Sequence, residues 1–76
     1  MNTITYRGFV YDSRHGGPFD RGSADSYYHR ACRPHFYTGA TYSTQEIIPE
    51  KGSPEYLAYK AGYEYNEELG DKKEWD

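Results

Sequence analysis

The sequence predicts a mainly α fold: two packed antiparallel helices, a long ordered connection between them, and an extended N-terminal arm. Three observations carry this expectation. Two stretches open with helix-start chemistry, Pro18 with Asp20 in the first turn and Ser53-Pro54-Glu55 later. The second of these carries Ala58, Ala61 and Gly62 on one side, and Gly22 with Ala24 offers a matching small-residue patch on the first. Finally, 76 residues suffice for a single small domain, 1–76, and not for two.

The arm comes first, over residues 1–17. Residues 3–11, Thr-Ile-Thr-Tyr-Arg-Gly-Phe-Val-Tyr, are β-branched and aromatic with rough alternation, which reads as extended and leaves a short hairpin open. A lone hairpin is marginal in water, so this arm must lie on the helices or on a partner. Gly16-Gly17 then breaks the chain. The first helix is expected over residues 18–31, with Arg33-Pro34 ending it. Gly22 weakens that helix by roughly 1 kcal/mol relative to alanine unless close packing requires it. Residues 32–52 show no period; Phe36, Tyr37 and the Ile47-Ile48 pair are expected to pin this connection down. The second helix is expected over 53–70, with Ser53 as N-cap, Tyr65 and Leu69 continuing the packed face, and Gly70 as a left-handed stop. An acidic tail, 71–76, contains Trp75.

Composition limits the core. Ile4, Val10, Ile47, Ile48, Leu57 and Leu69 are the whole supply of Ile, Val and Leu, while ten tyrosines and three phenylalanines accompany Trp75. Tyrosine brings apolar area, but its hydroxyl needs water or a partner. A thin core with phenol tips near the surface follows.

Charge divides the chain. The net charge is −3, but residues 1–37 hold five arginines against three aspartates, and residues 38–76 hold four lysines against nine acids. Arginine suits forked recognition of anions and stacking on rings, so the first half is the expected contact surface. The acids Glu64, Glu67, Glu68, Asp71, Glu74 and Asp76 form either a solvated face or an imitation of a phosphate backbone.

Several classes are excluded or disfavoured. No run of apolar residues is long enough to span a membrane, and no basic start precedes an apolar stretch, so a cytoplasmic protein is expected. Cys32 is the only cysteine, which allows no internal disulfide and suits a reducing compartment. There is no P-loop and no dinucleotide glycine pattern. A Cys-His pair with no recognisable oxyanion hole does not argue for an enzyme.

Two constellations remain. His29, Cys32 and His35 are spaced by three, and nitrogen and sulfur ligands suit zinc, with Asp25, His15 or water needed as a fourth. The bland alternative is a pair of satisfied or surface histidines and a small buried cysteine, and folding without metal or other cofactor is expected. The denser constellation is Arg21, Tyr27, Tyr28, Arg30, Arg33, His35 and Tyr37, a mixture of positive charge and rings typical of binding hot spots. It also suits base stacking and phosphate neutralisation, and one of Tyr27 and Tyr28 is expected in the core.

The stretch His15-Gly-Gly-Pro-Phe-Asp-Arg-Gly-Ser-Ala-Asp-Ser-Tyr-Tyr-His-Arg30, then Pro34-His35-Phe36-Tyr37, resembles a group of short proteins carried by bacteriophages and prophages. So does Ala58-Tyr-Lys-Ala-Gly-Tyr-Glu-Tyr-Asn-Glu-Glu-Leu-Gly-Asp-Lys-Lys-Glu-Trp75. The resemblance implies a phage product acting in the host bacterial cytoplasm. Arg21-Gly22, Ala24, Pro34 to Tyr37 and Gly62-Tyr63 are similar to positions of the ribosome modulation factor family. That likeness implies two helices and a ribosomal RNA partner, although this chain is acidic where that family is strongly basic. The expected function is therefore a non-enzymatic phage-type protein that binds and modulates or inhibits a host protein. Ribosome or RNA binding is the alternative, and a small structural homo-oligomer the second.

Overall fold

The computed structural model describes residues 3–38, 45–70 and 72. The middle of the connection and most of the tail, Trp75 included, lie outside them. The order is β1 (Thr3–Tyr6), β2 (Phe9–Asp12), α1 (Pro18–Tyr27) and α2 (Pro54–Leu69). The fold is thus mixed, two packed helices with a small antiparallel sheet, so the mainly α expectation holds only in part.

The arm is a complete hairpin. β1 and β2 pair with Thr3 opposite Asp12 and Tyr6 opposite Phe9, which leaves Arg7-Gly8 as the turn. Both turn residues take positive φ, 53° and 83°, as a tight two-residue hairpin turn demands. The sheet lays Tyr6 against Phe19 and Ala61, with Ile4, Tyr11 and Tyr65 packed around them. The aromatic rings meet edge-on or tilted: Tyr6 and Tyr65 at 5.4 Å between centroids, Tyr11 and Phe19 at 5.4 Å. This is the apolar core, and it is as small as the composition requires.

Helix α1 stops earlier than expected. Its C-terminus closes before Arg33-Pro34, because His29 takes the left-handed conformation (φ 61°). The His29 N–H then donates to the Ser26 carbonyl at 3.1 Å and the Arg30 N–H to the Asp25 carbonyl at 2.8 Å, the two bonds of a Schellman motif. Histidine tolerates this conformation better than most non-glycine residues. Helix α2 starts as read: the Tyr56 N–H donates to Ser53 Oγ at 3.2 Å. Its end differs, since Gly70 is extended (φ −91°, ψ 169°) and not left-handed. Leu69 does not continue the packed face but stands largely in solvent.

The helices meet at two glycines. A Cβ on Gly22 would collide with the Tyr59 carbonyl, and one on Gly62 with the Phe19 carbonyl. Close backbone approach therefore explains Gly22, as the small-residue patches suggested. One turn further along α1, Ser26 accepts from Asn66 Nδ2 at 3.1 Å and donates to Glu67 at 2.6 Å, one turn beyond Gly62. Contacts advance toward both C-termini together, so the helices cross in the same general sense and are not antiparallel. A connection as long as residues 28–53 can carry the chain back to make this possible.

That connection is anchored as well. Phe36 and Ile47 exchange both backbone hydrogen bonds, at 3.0 and 2.9 Å. The Tyr37 N–H donates to the Gly16 carbonyl at 2.8 Å, and Arg14 donates to the Tyr37 carbonyl at 2.9 Å. Ile48, by contrast, is exposed.

Candidate functional site

The second core of the molecule is polar. Arg21, Asp25 and His35 are all buried, beneath the fully buried Tyr59. Helix α1 supplies Arg21 and Asp25 one turn apart, on the face turned to α2 and to the returning connection. Asp25 is the hub. Its Oδ2 accepts from the Tyr59 hydroxyl, while Oδ1 lies 3.6 Å from Arg21 and 3.4 Å from Arg30. Tyr59 Oη in turn accepts from the Arg33 N–H at 3.1 Å, so this hydroxyl is used in both directions. Burial, and after it the hydrogen bond to Asp25, hold the Tyr59 phenol well above its ordinary pKa. It is therefore a donor to the carboxylate and not a phenolate.

His35 is fixed by its neighbours. Arg21 Nε donates to Nε2 at 3.2 Å, and a guanidinium can only donate. Nδ1 lies 2.7 Å from the Arg33 carbonyl, which can only accept. These partners assign the ring hydrogen to Nδ1. The ring also packs against Tyr37 and Tyr59, at 5.9 and 5.5 Å between centroids.

Above this floor opens a cleft of about 410 Å³ lined by Arg21, Asp25, Arg30, Ala31, Arg33, His35, Tyr37 and Glu46. Five of the seven residues proposed from sequence as a contact surface line it. Their roles divide. Arg21, His35 and Tyr37 are buried and form the floor, whereas Arg30 and Arg33 are exposed at the rim. The Tyr63 hydroxyl donates to the Arg30 carbonyl at 2.6 Å, which ties the rim to α2. Tyr27 and Tyr28 do not line the cleft, and neither enters the core. They meet edge-on at 4.8 Å beside it, and the Arg30 guanidinium lies 5.0 Å from the Tyr28 ring.

Arg33 is held by Glu46 in a two-bond fork, Nη1 to Oε1 at 3.2 Å and Nη2 to Oε2 at 2.8 Å. That pairing, the hydrogen bond first, draws the Glu46 carboxyl below its usual range. Glu46, Asp25 and Tyr59 were absent from the sequence-derived site. The spacing of Arg21 and Asp25 is a readable helix pair, but nothing in sequence joins Tyr59 or Glu46 to it.

The spaced triplet His29, Cys32 and His35 does not assemble. His29 serves the helix end, His35 is committed to Arg21 and Arg33, and Cys32 is exposed rather than buried. Among the described residues no group of three or more His, Cys, Asp or Glu side chains is arranged to hold a metal ion. Although the residue is exposed, neighbouring atoms shield its thiol from some of the solvent, and this desolvation pushes Cys32 above its ordinary pKa, the opposite of an activated nucleophile. Among the described residues no helix is long and apolar enough to cross a membrane.

No protein-family model, no curated protein and no solved structure matches the chain.

Proposed function

We propose that this is a non-enzymatic binding protein that engages and modulates another protein through the rim of the cleft. The single observation that carries this reading is the way Tyr28, Arg30 and Arg33 are displayed. They are exposed side chains on a segment whose backbone is tied down by hydrogen bonds at Tyr28, Arg30 and Arg33. Arg30 is held through its N–H by Asp25 and through its carbonyl by Tyr63, and Arg33 is held through its N–H by Tyr59. Exposed arginine and tyrosine on a rigid support lose little freedom on binding, which is what binding hot spots need. The groups that would serve catalysis are already engaged. Tyr59 and His35 have their hydrogen-bonding positions filled from within, and the thiol is not activated.

The proposed partner is a protein of the bacterial host, in keeping with the likeness to short phage-carried proteins. A protein is favoured over RNA because the cleft sets two carboxylates, Asp25 and Glu46, beside its three arginines. The test is capture from bacterial lysate by the immobilised full chain, with and without nuclease. A discrete host protein retained after nuclease treatment is the expected result. Capture abolished by nuclease would replace this reading with the ribosomal one.

A further inference from the structure

We propose that the cleft is a carboxylate-exchange site, in which Glu46 holds in cis the position that an acidic side chain of the partner takes in the complex. The inference deepens the protein-binding reading and rests on it. Glu46 comes from the connection, and its two carboxylate oxygens each accept from one terminal nitrogen of Arg33, the fork that arginine makes with a carboxylate. The pair is at the surface: the Arg33 side chain is 60% exposed and that of Glu46 35%. Water screens a pair this exposed, so even in the fork geometry an incoming carboxylate can compete with Glu46 for Arg33.

What opening exposes is not neutral. Arg21, Arg30 and Arg33 line one cleft against Asp25 and Glu46. Asp25 is engaged by Tyr59, Arg21 and Arg30 within the floor and cannot leave. Glu46 can. Its departure leaves three guanidiniums facing one internal carboxylate, in a space of about 410 Å³ walled by Tyr37 and His35. The vacated fork is already shaped for a planar carboxylate, so an Asp or Glu side chain replaces Glu46 like for like. A phosphate group would also find the fork, so what favours an acidic side chain is the like-for-like match to the carboxylate already seated there and not the charge count. The chemistry therefore fits an acidic segment of a protein.

The experiment is calorimetric titration of the purified full chain with a short capped peptide of alternating Asp and Glu, at low ionic strength. Glu46→Gln removes the internal competitor and should tighten peptide binding about threefold to fivefold. Arg33→Gln should weaken binding, and adding Glu46→Gln to it should then produce no gain. Glu46 is exposed, so the fold should survive, and circular dichroism checks that. Equal or weaker binding by Glu46→Gln overturns the exchange, as does peptide binding by neither chain. If an RNA oligonucleotide shows the gain and the peptide does not, the carboxylate assignment is wrong. The two readings fail separately. Nuclease-resistant capture with a flat Glu46→Gln titration removes the exchange alone, whereas a tightened titration with no captured protein removes the protein-binding reading alone.

Discussion

Tyr6 and Tyr59 are both buried tyrosines, yet their hydroxyls have opposite fates. Tyr59 Oη donates to Asp25 and accepts from the Arg33 N–H. Tyr6 Oη is the one buried side-chain polar atom among the described residues that lacks a partner. A buried unsatisfied polar group costs about 1–3 kcal/mol. Tyr59→Phe leaves Asp25 and the Arg33 N–H short of a partner and should destabilise by about 1–3 kcal/mol. Tyr6→Phe removes the orphan and should be neutral or stabilise by about 1 kcal/mol. Urea melts of the two variants decide this, and equal destabilisation by both would refute the hydrogen-bond assignments. At this scale the sequence was half informative. Five of the seven arginine, tyrosine and histidine residues singled out between 21 and 37 line one cleft, but their sequence pattern does not show that Arg21, His35 and Tyr37 are buried as its floor. Tyrosine is ambiguous by nature, since its ring favours the core and its hydroxyl the surface.

The elements were legible where local chemistry decides them. Ser53-Pro54 starts α2 as its capping residues require. Two boundaries differ from the sequence pattern because left-handed backbone is carried by an unusual residue. Arg7 occupies a hairpin turn position more often held by Asn or Gly, and His29 the helix-end position more often held by Gly. Each hides a boundary from local signals, so the sequence pattern shows an extended arm without fixing the hairpin and lets α1 run to residue 31 where the helix ends at Tyr27. The relative direction of the helices was beyond local signals, because small-residue patches report close approach without polarity. That approach is testable. Gly62→Ala places a methyl against the Phe19 carbonyl, and backbone cannot yield as a side-chain tip does. The substitution should cost about 1–3 kcal/mol, although alanine is the better helix former. An unchanged or raised melting temperature would contradict the crossing at Gly22 and Gly62.

For the whole molecule, the two titration limbs report different layers. Tyr59 has a folded pKa raised above the ordinary 10.0, so the stability it provides is complete below about pH 10 and is lost as pH rises beyond it. Glu46 and Glu67 lie lower than the ordinary 4.5 through Arg33 and through Lys72 with Ser26. Their contribution is present above that pH and fades as pH falls through it. Both acids are at the surface, so salt should blunt the acid limb and leave the alkaline limb nearly unchanged. Thermal melts across pH at low and high salt check this, and Tyr59→Phe should make the alkaline limb shallower, leaving the part that Cys32 and Tyr63 contribute. An alkaline limb as salt-sensitive as the acid one would count against a buried origin.

The central claim is that a rigid, fully satisfied polar floor presents Arg30 and its neighbours to a protein partner. Charge reversal at Arg30 is a poor probe, because it would press a carboxylate toward Asp25, whose Oδ1 lies 3.4 Å from the Arg30 guanidinium. Arg30→Gln removes the charge without that repulsion. The decisive measurement is retention of the captured host protein by Arg30→Gln relative to the parent chain, in nuclease-treated lysate, with folding verified by circular dichroism. The expected result is a folded variant whose capture falls by about tenfold or more, as for loss of a central arginine at an interface. A folded Arg30→Gln chain that captures the same protein as well as the parent would contradict it.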